Sequence, residues 1–134
     1  MRILFVEDDY MTIDAVVTHL RIEGHEVDLV RTPADAIEKL MWETYQVVFL
    51  DVMFAPGEIF DLEETAGGRY TGLSLLEVIH SDERIAERGI PLLVLVTNWR
   101  DEPQVEASAE RFGVRILRKP LSLKDIEEAI GNGG

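Results

Sequence analysis

Short apolar runs alternate along this chain with longer segments of helical spacing, and that alternation leaves few architectures open. Residues 2–6, 26–30, 47–51, 91–96 and 114–117 each hold a brief apolar stretch, the purest being Val47-Val48-Phe49-Leu50 and Leu92-Leu93-Val94-Leu95-Val96. Continuous runs of this length fit strands buried on both faces. Between them, Ile13, Val16, Val17 and Leu20 mark one face of a helix over 10–22. Ile37, Leu40 and Met41 mark a second, and Leu73, Leu76 and Ile79 a third that starts near Thr71. Val105, Ala109 and Phe112 mark a fourth, and Leu123, Ile126 and Ile130 a fifth. The punctuation agrees. Thr32-Pro33 supplies an N-cap and a proline for the first helical position, and Gly24 and Gly113 are placed to stop helices. Strands that alternate with such helices need crossover connections and a parallel sheet covered on both faces. The expected fold is an open five-stranded α/β sandwich, a single domain over 1–130. A long irregular stretch occupies 52–70, and 131–134 reads as a frayed tail or cut linker.

Bulk properties narrow the function. The 134 residues carry a formal net charge of -13, which repels nucleic acid and anionic membrane surfaces rather than drawing them in. No apolar stretch approaches the roughly 20 residues of a membrane span. The N-terminus enters a strand at once, which leaves no room for a signal peptide. There are no cysteines, so disulfides and thiolate metal sites are excluded, and a cytoplasmic setting is expected.

The residues at the strand ends are more specific. The first strand runs into Glu7-Asp8-Asp9, the third into Asp51, the fourth into Thr97-Asn98, and the fifth is succeeded by Arg118-Lys119-Pro120. In open α/β sheets, ligands bind beyond the carboxyl ends of the strands, so these residues would gather at one edge. Glu7, Asp8 and Asp51 crowded together would repel one another, and a hard divalent cation with oxygen ligands removes that conflict. Asp51 is the candidate nucleophile, because a carboxylate can attack phosphorus and hold the group as an aspartyl phosphate. Lys119 and the metal would neutralise charge on the phosphoryl oxygens, and the Thr97 hydroxyl would donate to them. Taken singly, an acid, a threonine or a lysine at a strand end is ordinary surface chemistry; the joint placement carries the reading.

Val6-Glu7-Asp8-Asp9, Leu50-Asp51-Val52-Met53, Val96-Thr97-Asn98 and Leu117-Arg118-Lys119-Pro120 resemble, in order and spacing, the four signatures of response-regulator receiver domains. The match covers nearly the whole chain. It implies a flavodoxin-like strand order 2-1-3-4-5, with Asp51 as phosphoacceptor and Mg2+ (or Mn2+) as cofactor. Asp8 would be a direct metal ligand, Glu7 would act through water, and Met53 would lend its backbone carbonyl. Thr97 and Lys119 would contact the phosphoryl group, and the Lys119-Pro120 bond would be cis. The implied donor is a sensor histidine kinase or histidine phosphotransfer protein. Output would pass to a downstream protein partner rather than directly to nucleic acid or a membrane. Apart from its own phosphorylation and dephosphorylation, such a domain is not an enzyme.

The chain departs from the family pattern in three places. The family's proline and glycine soon after the acceptor give way to an insertion, so that Gly72 arrives about a dozen residues late. The composition of 54–70, with Asp61, Glu63, Glu64 and Gly67-Gly68, reads as a mobile loop: a tolerated insertion, a lid or a partner contact. Ile116 stands where the family commonly carries a rotating Tyr or Phe, so the usual threonine-aromatic coupling is not expected. Asn98 and Trp99 come after the threonine in place of small residues; either could modulate the site, and Trp99 could equally serve packing. Two rival readings stay open. One is a magnesium-dependent phosphohydrolase with an aspartyl nucleophile, against which stands Met53 where those enzymes show an acid. The other is a degenerate receiver acting as a phosphorylation-independent interaction module.

Overall fold

Residues 1–98 and 102–133 are described by the computed structural model. Strands β1 (Arg2–Val6), β2 (Glu26–Val30), β3 (Val47–Asp51), β4 (Leu92–Thr97) and β5 (Arg115–Arg118) form one parallel sheet in the order β2-β1-β3-β4-β5. The expected 2-1-3-4-5 order and open α/β architecture are what the chain adopts.

Side-chain alternation along the central strands sorts the core into two layers. Leu4, Val6, Val48, Leu50, Leu93 and Leu95 face one way. Against them lie α2 (Pro33–Trp42), α3 (Thr71–Ser81), α4 (Glu83–Arg88) and α5 (Pro103–Phe112), through Ala36, Leu40, Leu75, Leu76, Ile79, Ile85, Val105 and Ala109. Ile3, Phe5, Val47, Phe49, Val94 and Val96 face the other way, onto Val16, Val17 and Leu20 of α1 (Asp14–Ile22) and Ile126 and Ile130 of α6 (Leu123–Gly133). The Phe5 and Phe49 rings stack at 4.7 Å between adjacent strands. Such burial on both faces explains why these strands read as unbroken apolar runs.

Four boundaries differ from the sequence reading. The helix expected over 10–22 is split: a 3-10 turn at Tyr10–Thr12 precedes α1, because the Asp9 carboxylate accepts from Met11 N at 3.2 Å and caps a separate short turn. Helix α4 was missed. It is six residues long, buries Ile85, and is capped by Asp82, whose carboxylate accepts from Arg84 N at 2.9 Å and Ile85 N at 3.3 Å. A single buried residue gives no periodicity to detect. Helix α6 runs to Gly133, past the boundary expected at 130.

The fourth difference is the insertion. It holds neither helix nor strand, yet it is knitted by its own hydrogen bonds rather than left open. Thr65 is fully buried; its hydroxyl donates to Asp61 O at 3.0 Å and accepts from Gly68 N at 3.2 Å. Thr71, also fully buried, donates to Phe54 O at 2.5 Å and so ties the loop's exit to its entrance. Phe54 packs in the core while Ile59 and Leu62 face solvent.

Candidate functional site

The chain leaves β1 outward to β2 and returns across it to β3, so β1 and β3 are neighbours whose next elements lie on opposite sides. A crevice opens at the carboxyl ends of strands where the order reverses in this way. Glu7 comes directly after β1, and Asp51 ends β3, paired in register with Val96 of β4. Thr97 ends β4, and Lys119 comes directly after β5, its amide donating to Thr97 O at 2.8 Å. Four strand ends thereby deliver the acids, the hydroxyl and the lysine to one place.

Glu7, Asp51 and Thr97 are buried polar residues, whereas Asp8 is open to solvent. The Lys119 ammonium lies 2.7 Å from Glu7 Oε2 and 3.0 Å from Asp51 Oδ2, bridging the two buried carboxylates. Glu7 is thus engaged directly by the lysine, and its Oε1 accepts from Asp9 N at 3.1 Å. Burial, and then the Glu7 charge, push the Asp51 carboxyl up to about 7, against the opposing pull of Lys119. Asp8, though exposed, is also raised, by partial loss of solvent first and by the Glu7 charge second. Burial disfavours the charged lysine, but its bonds to Glu7 and Asp51 outweigh that and leave Lys119 above its ordinary value.

Three carboxylates therefore gather beside one ammonium, which pairs with two of them, and the crevice carries excess negative charge. Glu7, Asp8 and Asp51 each offer an oxygen, all within 4.8 Å of one another. An all-oxygen set of this kind, with Asp8 open to water, suits a hard divalent cation that keeps part of its hydration shell. Among the described residues, one further group could hold a metal ion, the exposed His19 of α1, Glu23 just past its end and Glu127 of α6, with a ring nitrogen among its ligand atoms.

The Met53 side chain is exposed, and the Lys119-Pro120 peptide is cis. Asn98 is exposed just beyond β4. Trp99 lies outside the described residues. Ile116 packs half-buried against the layer that holds α2 to α5.

Sequence reasoning missed a second polar group beside the site. The Glu102 carboxylate accepts from Tyr70 Oη at 2.7 Å on one oxygen and from Arg69 Nη2 at 2.9 Å on the other. These residues are over thirty positions apart, and no local spacing signals the pairing. Gly72 could have been read more sharply: its amide donates to Val52 O at 2.8 Å, and it presses on the Asp51 backbone.

No family model matches the chain. Over 130 residues it is 47% identical to the transcriptional regulatory protein CutR of Streptomyces coelicolor, covering 94% of this chain and 50% of that protein. It is 28% identical to the regulatory protein VanRB of Enterococcus faecalis, over all of this chain and 54% of that one. The chain spans about half the length of these curated relatives. Among solved structures it is similar to the bacteriophytochrome response regulator RtBRR, with a TM-score of 0.70, 27% identity, and 99% and 77% of the two chains covered. The chemotaxis protein CheY4 of Vibrio cholerae shares the fold, with a TM-score of 0.75, 16% identity, and 99% and 98% covered. With these relatives, this strand order and this carboxylate-lysine crevice, the chain belongs to the response-regulator receiver domains.

Proposed function

We propose that this domain accepts a phosphoryl group on Asp51 and signals through the conformational change that results. The donor is a phosphohistidine on a sensor histidine kinase or a phosphotransfer protein. The N–P bond of the donor breaks as the bond from Asp51 Oδ to phosphorus forms, which returns the histidine to its free state. The observation that supports this best is the pair of contacts from Lys119 to Asp51 and Glu7. They hold a cation where charge would grow on the transferred group and keep the acceptor carboxylate in a fixed orientation.

Glu7, Asp8, Asp51 and the Met53 carbonyl would hold magnesium or manganese, which supplies neutralisation of the phosphoryl charge. The chain's own residues do the rest. Lys119 spans acceptor and acid, Thr97 stands at the adjoining strand end with a hydroxyl to donate, and the apolar floor of β1, β3 and β4 excludes water from beneath the carboxylate. Output goes to a protein partner. CutR and VanRB are named as regulators, and the share of their length beyond the match is where a separate output function would reside.

The test is incubation with acetyl phosphate and magnesium, then intact mass. One phosphoryl group should add to the parent and none to Asp51→Asn. Failure of the parent to gain it, with histidine-kinase donors equally inactive, would leave only a phosphorylation-independent interaction module.

A further inference from the structure

Two connections rise from the crevice beside Asp51: the insertion, leading from β3 to α3, and the segment leading from β4 to α5. The insertion is anchored to the site at its base. Val52 N donates to Val96 O at 3.0 Å, and Gly72 N donates to Val52 O at 2.8 Å. Above that base, both oxygens of a single carboxylate join the two connections. Glu102, five residues beyond Thr97 and immediately before α5, takes one bond from Tyr70 and one from Arg69, the last two residues before α3. The Glu102 side chain is only 11% exposed, and the Arg69 guanidinium also lies over the Tyr70 ring at 5.5 Å. Both bonds are charge-assisted, the stronger class of hydrogen bond.

We propose that Tyr70, Arg69 and Glu102 form a clamp that ties the start of α5 to the exit of the insertion and opposes phosphoryl binding at Asp51. The inference rests on the reading of Asp51 as phosphoacceptor. A phosphoryl group on Asp51 presents new acceptor oxygens at the end of β3, and Thr97 is the hydroxyl at the neighbouring strand end. Thr97 ends β4 and Glu102 immediately precedes α5, five residues on, so a turn of Thr97 toward those oxygens pulls on the tie at Glu102. An interaction present at rest and loosened on phosphorylation lowers the affinity for the phosphoryl group by the free energy of the interaction lost. The half-buried side chain of Ile116 has no polar atom with which to make such a tie, whereas the clamp has three groups. In this arrangement the insertion is a mechanical part of the switch. Its exit residues grip Glu102, and its exposed Ile59 and Leu62 are carried on the same loop.

The test is calorimetric titration of the whole chain with beryllofluoride in saturating magnesium, and separately with magnesium alone. The variants are Tyr70→Phe, Glu102→Gln and their double. Each single variant should bind beryllofluoride three- to tenfold more tightly than the parent, while magnesium affinity stays within twofold. The double should gain no more than the better single variant, because both substitutions open the same clamp. A merely structural role would lower thermal stability without moving the ratio of the two affinities. Unchanged or weaker beryllofluoride binding in Tyr70→Phe, or additive gains in the double, would overturn the clamp. Arg69→Gln supplies a further arm should Glu102→Gln fold poorly, with the same expected tightening. If the parent itself does not bind beryllofluoride, the phosphoacceptor reading falls, and the clamp with it. Failure confined to the variants strikes the clamp alone.

Discussion

Gly72 lies so close to the backbone of Asp51 that a Cβ on it would stand 2.1 Å from the Asp51 carbonyl oxygen. The same Cβ would be 2.7 Å from Val52 Cα, so the obstruction is main chain and cannot swing aside. The insertion can vary in length because it loops out between fixed ends; the glycine at its return cannot vary.

Gly72→Ala should therefore destabilise the fold by roughly 3 kcal/mol, the upper end for overpacking a tight contact, and displace the acceptor strand end. Urea denaturation measures the first effect, and the rate of labelling by acetyl phosphate the second. Gly131→Ala is the control: nothing lies within 4 Å of its added methyl, and stability should hold or rise slightly.

Removing Lys119 should cost both stability and chemistry. In Lys119→Met, the buried Glu7 and Asp51 carboxylates lose the ammonium they share. Breaking a buried ion pair from one side costs about 3–5 kcal/mol; the lysine is 15% exposed, so about 2–3 kcal/mol is the expectation. Acetyl phosphate labelling should fall at least tenfold, because no fixed cation then meets the phosphoryl charge. Chemical denaturation and an intact-mass time course check the two halves separately. Labelling at the parental rate would remove Lys119 from the mechanism.

Much of this arrangement was legible in the sequence, for a physical reason. Strands buried on both faces have to be uniformly apolar, so Val47 to Leu50 and Leu92 to Val96 stood out, and the polar residue ending each one marked the edge where a ligand binds. The strand order came from resemblance, since alternation alone does not distinguish one parallel order from another. Features made by contacts distant in sequence stayed hidden. Glu102 is over thirty residues from Arg69 and Tyr70, and its position before Pro103 reads simply as a helix start. The compact turns of the insertion escaped for a similar reason. Thr65 and Thr71 look like ordinary polar loop residues until their hydroxyls are seen turned inward.

Tyr45 offers a test of stability away from the site. Its ring is buried and its hydroxyl donates to Asp28 Oδ2 at 2.6 Å, while Arg2 reaches the same carboxylate oxygen at 3.5 Å. Burial, and then the bond to Asp28, hold the phenol well above its ordinary value, so it remains a donor throughout the stable pH range. Tyr45→Phe keeps the packing and deletes one hydrogen bond to a charged acceptor, so it should cost about 1.5–3 kcal/mol. Asp28 keeps Arg2, which places the result near the lower figure. Urea unfolding of parent and variant measures it, and a neutral result would show that the hydroxyl is replaced by water without loss.

The clamp also predicts a dependence on acid. The bonds from Tyr70 and then Arg69 hold the Glu102 carboxyl below its ordinary value of 4.5, despite the opposing effect of burial. A group with a depressed folded-state pKa contributes stability that is complete above its unfolded value and is lost as pH falls through the folded one. Glu102→Gln cannot titrate, so it lacks that contribution at every pH. The parent should therefore melt at a higher temperature than Glu102→Gln at pH 6, and the gap should narrow steadily on acidification to pH 3. Melting curves for the pair across that range give the answer directly. A gap as wide at pH 3 as at pH 6 would mean that the Glu102 charge is not what Arg69 and Tyr70 grip.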